Sequence, residues 1–471
     1  MKTNKFLLAA ILGMLTAATA GAQTTIYISG APAVRSYVSA AIRDVLTSST
    51  TGAITWAYSN GTTESNAIQK ANALIFYGGN VVVASSTVPI TVSVSYVGSS
   101  AGIQDVAATG TANFLALSST EGGSPYADPT ATGAPAQDEE YPLFTASDEF
   151  QLSTPWYGTN TLTTSGTVTY AALNSDVAGV VPYRFVASPD APTRLSNITV
   201  QQARELWEEG FVWLSSLTGS TSANSGGAYP DDSEAIYALG RNTGSGLRTV
   251  LLSETGIGVT TSVKQFEPTI SGTAAPYAAT SQVLYPAGNV NGQNLAVGDN
   301  GYSSFTNLDP AISAYTVTNG GTILGSGSNY PAIGATKAIY VTALADADAQ
   351  TAINNGAHEI AYNGFYLDGV PYNPTVTGSS VGILPAGGGA SPELANGQYT
   401  FWSYIQLQYQ SGLTTTTPVN PNTTTAQQEA AYAFEQALYQ ELKTTDAAVL
   451  LQNMNVSRSA DGGTISKGNP Y

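Results

Sequence analysis

The spacing of apolar positions along the chain switches repeatedly between two residues and about 3.6. Residues 25–29 (TIYIS) alternate and are β-branched, which predicts a strand ending in Gly30-Ala31-Pro32-Ala33. Val34, Val38, Ala41, Ile42 and Val45 follow at helical spacing, so a helix leaves that turn. The order strand, tight turn, helix returns twice. Residues 91–97 (TVSVSYV) run into Gly98-Ser99-Ser100-Ala101-Gly102 and a helix through Ala107, and residues 235–239 run into a Gly/Ser turn and a helix over 247–253. Tyr141 to Phe144 lead into a polar strand end, Thr145-Ala146-Ser147-Asp148. Residues 177–186 read as a strand interrupted by Pro182 that crosses between domains. Helices are predicted over 200–209, with Thr199 as cap, over 345–355 and over 426–442. Residues 359–365 read as a strand, and the aromatic run 398–409 as core or hinge packing. Residues 109–140 and 270–330 lack a clear period, and 151–175 read as a β-hairpin; all three are taken as insertions, and 414–425 as a linker. Strands alternating with helices over this length predict an α/β protein.

The 471 residues allow two or three domains. Lys2 and Lys5, an apolar run over 6–15 and Ala-x-Ala options ending at Ala20 or Ala22 predict a cleavable secretory signal over residues 1–22. No later apolar run reaches the ~18 residues that span a bilayer, so no membrane insertion is expected. Cysteine is absent, which excludes disulfides, thiolate metal sites and a lipid-anchored amino-terminal cysteine. The expected location is therefore periplasmic or secreted. A formal charge of −17 with only 15 lysines and arginines argues against nucleic acid and anionic membranes as partners. It leaves room for a small anion, because the far field is screened within roughly 10 Å.

The chemistry concentrates in Arg241-Asn242-Thr243-Gly244-Ser245-Gly246-Leu247-Arg248. A glycine-rich turn opening a helix leaves backbone N–H groups unpaired at the helix's positive end, and an arginine fork beside it suits phosphate or carboxylate. Other charged groups read as ordinary surface. The lone His358 has no ligand set around it, Asp231, Asp232 and Glu234 suit a solvated loop, Asp138-Glu139-Glu140 a surface run, and Asp346 and Asp348 a solvated helix start. No Ser-His-Asp, zinc or Walker constellation appears, so neither an enzyme, a metal nor a cofactor is expected.

Four stretches, in order, resemble the periplasmic phosphate-binding proteins of ABC transporters, members of a wider family of two-lobed binding proteins. They are Ile28-Ser29-Gly30-Ala31-Pro32-Ala33-Val34; Tyr96-Val97-Gly98-Ser99-Ser100-Ala101-Gly102, similar to Gly-Ser-Ser-Gly-Gly; Phe144-Thr145-Ala146-Ser147-Asp148, similar to Phe-Gly-Ala-Ser-Asp; and Arg241 to Leu247, similar to Arg-x-x-Gly-Ser-Gly-Thr. The segments 195–219 and 396–402 also look like that family's helix-and-turn and Gly-x-Tyr-Pro-Leu-Trp elements. The resemblance implies a type 2 periplasmic-binding-protein fold, each lobe a mixed sheet flanked by helices, with the ligand between lobes. One lobe is expected over 23–186 plus 373–471 and the other over 187–372. By position, Ser99, Asp148, Arg241, Ser245 and Gly246 are the implied ligands, with Ser29, Ala33, Ser100, Leu247 and Arg248 as secondary candidates. Asp148 suits hydrogen phosphate, whose proton it can accept, and opposes sulfate, which has none. Two positions depart from the pattern. Ala33-Val34 stand where the family has Thr-Phe, and Leu247 where it has Thr, so two hydroxyl donors are missing. The implied function is capture of phosphate or a related oxyanion by a monomer, for delivery to an ABC permease. The alternative is a surface or extracellular protein reusing the fold with a degenerate anion site.

Overall fold

The computed structural model describes residues 23–59, 62–119, 126–129, 138–163, 166–219, 234–316, 338–371, 384–414, 419–420 and 422–470. The expected signal segment, Asp231 and Asp232 lie outside them, as does part of each expected insertion and of the linker.

The chain starts with β1 (Thr24–Gly30), a one-turn 3-10 helix and α1 (Arg35–Ser48), then β2 (Thr55–Tyr58), the short α2 (Ala67–Lys70) and the hairpin β3 (Ala73–Val83) and β4 (Ser86–Ser95). Next come α3 (Ser99–Ala108), the pair β5 (Ala112–Phe114) and β6 (Asp138–Glu140), β7 (Phe144–Ser147), the hairpin β8 (Gly158–Thr163) and β9 (Gly166–Tyr170), and the long β10 (Leu173–Ala187). The middle of the chain holds β11 (Asn197–Ile198), α4 (Val200–Glu209), β12 (Phe211–Trp213), α5 (Leu214–Thr218), β13 (Ala235–Ala238) and α6 (Gly246–Glu254). A strand-rich segment follows: β14 (Phe266–Ser271), β15 (Tyr277–Leu284), β16 (Gly288–Val290), β17 (Gln293–Leu295), α7 (Phe305–Ile312) and β18 (Ala314–Thr316). The remainder is β19 (Ala338–Ala345), α8 (Asp346–Asn354), β20 (His358–Tyr362), α9 (Pro392–Ala395), β21 (Trp402–Gln410) and α10 (Thr425–Glu441).

The fold is two-lobed mixed α/β, and β10 joins the lobes. Its first part pairs antiparallel with β21, from Leu173↔Gln410 to Pro182↔Trp402. Its last residues pair instead with β19 and β20, Tyr183↔Ala345 and Phe185↔Ile360 among them. The strand order is therefore β12-β13-β19-β10-β21-β7-β1-β4-β3-β2, with one lobe on each side of β10. Pro182 does not break the strand. It keeps its place in the ladder opposite Trp402.

Within the first lobe β1 runs parallel to both β4 and β7, and within the second β13 runs parallel to β19. Parallel strands deliver their following turns to one edge of a sheet, where crevices for ligands form. The turns after β1, β4 and β7 and those after β13 and β19 are therefore the ones that the two lobes turn toward each other.

The segment without apolar period, 270–330, contains regular structure: β15 pairs with β14 and β18, β16 with β17, and α7 buries Phe305, Leu308, Ala311 and Ile312. In β15 the buried positions include Gln282 and the exposed one is Val283, so no apolar stripe marks the strand and the pairing rests on backbone ladders. Asp346 and Asp348 are also not at a solvated helix start. Asp346 pairs at 2.6 Å with Arg184, whose side chain is fully buried, and Asp348 faces Arg35 of the other lobe at 3.6 Å. Among the described residues no helix is long and apolar enough to cross a membrane.

Candidate functional site

Gly98 and Ser99 open α3 directly after β4. Gly98 sits at φ +123°, a conformation that glycine adopts without strain, and its N–H donates to Gly30 O at 3.0 Å. On the other lobe the 241–246 turn follows β13, and Ser245 stands at the N-cap of α6. The two turns touch. A Cβ added at Gly98 would overlap the carbonyl oxygen of Gly244, and Ala101 N–H, in the first turn of α3, donates to that same carbonyl at 3.3 Å. A Cβ at Gly246 would overlap Asp148 Oδ1 and stand 2.6 Å from Ser99 Cβ. Only glycine permits backbone approach this close.

Thus Ser99, Asp148, Ser245 and Gly246 meet at one point, where the N-termini of α3 and α6 face each other from opposite lobes. Ser99 Oγ accepts from Asp148 N–H at 2.8 Å, and Tyr183 Oη donates to Asp148 Oδ2 at 2.9 Å. Asp148 Oδ1 is buried with no hydrogen-bond partner among the described residues. The helix ladder of α3 begins with Gly102 N–H to Gly98 O, and that of α6 with Arg248 and Thr249 N–H to Ser245 O. The N–H groups of Ser99, Ser100, Gly246 and Leu247 consequently have no acceptor among the described residues. Opposed helix N-termini bring two positive dipole ends together, a strongly anion-favouring field.

Burial raises the Asp148 carboxyl, with Ser99, Tyr183 and the Arg241 charge pulling it back down. Glu149 beside it is pushed well above the usual carboxylate range by burial and by Asp148; Ser100 Oγ donates to its Oε1 at 2.6 Å, while its Oε2 is buried and unpartnered among the described residues. Arg241 is buried, and burial lowers it to about 10 against the opposing pull of Asp348 and Asp148. Its guanidinium donates to two carbonyls of its own lobe, Tyr302 O at 3.0 Å and Ser303 O at 2.6 Å. Burial also raises Asp348, opposed by Arg35 and Arg241, so Arg35, Arg241 and Asp348 form one charge group between the lobes.

The secondary candidates are placed differently. Ser100 belongs to the Glu149 pair. Arg248 bridges to Asp299 at 2.5 Å and anchors that loop. Leu247 is packed in the main apolar core. The Ser29 hydroxyl is fully buried beneath α3, where a Cβ at Gly102 would meet it at 2.8 Å, and has no partner among the described residues. Ala33 lines an interlobe cavity of about 340 Å³. The sequence reading missed Tyr183, Glu149 and Asp348. Glu149 adjoins Asp148 in a run already singled out, so the signal for it was local; Tyr183 and Asp348 are brought in by β10 and β19, and only the topology places them there. His358 is half-buried, its pKa lowered by burial, and among the described residues no three acidic or histidine side chains could hold a metal ion.

No protein-family model and no curated protein sequence matches the chain. Several solved structures resemble it, among them the following three. A protein from Clostridium perfringens with bound phosphate, provisionally assigned as a phosphate ABC transporter substrate-binding protein, shares 10% identity over 89% of this chain and 96% of its own, at a TM-score of 0.37. A candidate phosphate-binding protein from Planctomyces limnophilus shares 10% over 90% and 93%, TM-score 0.32. PstS from Borrelia burgdorferi shares 11% over 90% and 99%, TM-score 0.31. At such scores the likeness says nothing about the site, which has to be read from this chain's own geometry.

Proposed function

We propose that the chain is an exported, two-lobed solute-binding protein that captures hydrogen phosphate or a related protonated oxyanion between its lobes, as a monomer, for delivery to an ABC permease. The reading rests on one observation: the N-termini of α3 and α6 oppose each other with four unaccepted N–H groups beside a carboxylate oxygen that lacks a donor. A hydrogen phosphate offers acceptors to the first and a proton to the second. Sulfate offers acceptors only, and Asp148 opposes it. The tight Gly98–Gly244 and Gly246–Asp148 contacts mean that the lobes must separate before a ligand enters, a hinge motion for which β10 and the ladder partner beside it are the connecting strands.

A second reading has an observation of its own. Ala101 N–H is already held by Gly244 O, and Nε and Nη2 of Arg241 are committed to Tyr302 O and Ser303 O. Donors so occupied suit lobes fastened permanently, in a structural or interaction protein of the cell surface. Titration calorimetry of the mature protein separates the two. The proposal predicts heat with phosphate and much weaker binding of sulfate; no heat with either anion overturns it in favour of fastened lobes.

A further inference from the structure

Tyr183 stands where β10 changes ladder partners. Pro182 is the last residue paired with β21, and Tyr183 is the first paired with β19, opposite Ala345. Its side chain turns to Asp148, which follows β7 in the first lobe. Main chain and ring are both fixed. The N–H donates to Phe401 O at 3.0 Å, the carbonyl accepts from Tyr399 Oη at 2.6 Å, and the ring packs on Phe401 at 5.2 Å between centroids. The residue is fully buried. Burial first, and then the Asp148 charge, push its phenol well above the ordinary range, with Asp461 and Glu149 adding to the effect. The hydroxyl therefore keeps its proton and acts as a donor. It donates to Asp148 Oδ2 at 2.9 Å, with the Asp148 carbonyl at 3.3 Å as the weaker acceptor.

We propose that Tyr183 is the positioning residue through which the site selects protonated oxyanions: by engaging Oδ2 it fixes Asp148 with one free acceptor, Oδ1, turned to the ligand. The inference rests on the oxyanion reading above. Oδ1 points at Gly246, where an added Cβ would overlap it, and has no hydrogen-bond partner among the described residues. A hydrogen bond given to a carboxylate also favours its ionised form. Tyr183 is thus one of the groups that oppose the effect of burial on Asp148, together with Ser99 from α3 and the Arg241 charge from the second lobe; the neighbouring Glu149 is a competing carboxyl. With the phenol removed, Asp148 takes up a proton at a higher pH. A protonated Asp148 donates from Oδ1 to sulfate, the anion that its ionised form opposes. Phosphate is affected less, because it can either give a proton to this oxygen or accept one from it.

The test is titration calorimetry of Tyr183→Phe and of the parent protein, both lacking residues 1–22, with phosphate and with sulfate between acid and neutral pH. Phenylalanine keeps the ring on Phe401 and deletes only the hydroxyl. The ratio of phosphate to sulfate affinity is expected to fall about tenfold or more, the scale of one hydrogen bond to a charged group. The pH below which sulfate binds is expected to move upward. A merely structural role weakens both anions alike and leaves ratio and pH profile in place; that result overturns the proposal and leaves the oxyanion reading standing. A parent protein that binds neither anion removes both. Proton NMR of the parent gives a reading that does not need Tyr183→Phe to fold. The Tyr183 hydroxyl proton is expected as a slowly exchanging downfield line that Asp148→Asn moves upfield and that phosphate shifts. A line insensitive to both overturns the proposal.

Discussion

Gly246→Ala probes the contact between the lobes in isolation. Gly246 is the first residue of α6 and has no left-handed backbone, so the substitution brings no backbone strain, and alanine favours a helix by up to about 1 kcal/mol. The whole cost lies in what the methyl meets. It overlaps Asp148 Oδ1 and stands 2.6 Å from Ser99 Cβ and 2.9 Å from Asp148 Cγ. Neither neighbour can swing aside, because both are buried, Tyr183 ties one Asp148 oxygen, and the Asp148 N–H ties Ser99. Overpacking of this kind costs about 1–3 kcal/mol, and moving the lobes apart relieves it. After the full helix gain, about 0–2 kcal/mol remains against closure, a factor of up to about 30 in the ratio of closed to open forms. Small-angle scattering should show a larger radius of gyration for the variant, and urea titration a loss of stability. A scattering profile superimposable on that of the parent protein, together with unchanged or greater stability, refutes the reasoning.

Gly98→Ala should be more damaging, since it adds a left-handed backbone at φ +123° to an overlap with Gly244 O; its urea midpoint should fall below that of Gly246→Ala. Asp148→Asn removes the carboxylate that opposes sulfate, so calorimetry should find sulfate binding strengthened tenfold or more relative to phosphate, the scale of a charged hydrogen bond. Arg184→Met leaves Glu359 buried without its partner at 2.6 Å and should cost about 3–5 kcal/mol by urea titration. Glu435 is fully buried and raised to about 8, by burial foremost, with Gln436 opposing. Its folded value lies above the unfolded value of about 4.3, so its protonated form favours the fold, and that contribution is present below about pH 4.3 and lost as pH rises through 8. Glu435→Gln should therefore match the parent near pH 4 and exceed its stability at pH 8, measured by urea titration across that range.

Much of the scaffold was legible because local signals and tertiary packing agree. The capping pair Thr199 and Gln202 marks α4, whose bounds are those the spacing predicts, and the apolar side of 426–442 becomes α10 with Ala430, Phe434 and Leu438 buried. The aromatic run near 398–409 reads as core packing, and β21 is buried along nearly its whole length between β10 and β7. Where the signal failed, a physical reason is visible. β14 to β18 mix polar and apolar residues without alternation, and nothing in a period of two announces strands paired mainly through their backbones. Asp346 and Asp348 looked like ordinary first-turn acids, and no local pattern shows that Arg184 and Arg35 reach them from elsewhere in the chain. The Gly/Ser turns were legible as helix openings. That the α3 and α6 turns press on each other, and that Arg241 turns its donors onto Tyr302 and Ser303, follows only from how β10 sets the lobes.

The central claim is that an oxyanion is held between the facing N-termini of α3 and α6, and amide NMR reads those groups directly. With the resonances of Ser99, Ser100, Gly246 and Leu247 assigned in the protein lacking residues 1–22, phosphate is titrated in and their N–H shifts are followed. The account predicts downfield movement of these amides, from both lobes, along one saturating curve, with Asp148→Asn altering the response to sulfate. Amides that stay in place while phosphate is raised to saturating concentration contradict it.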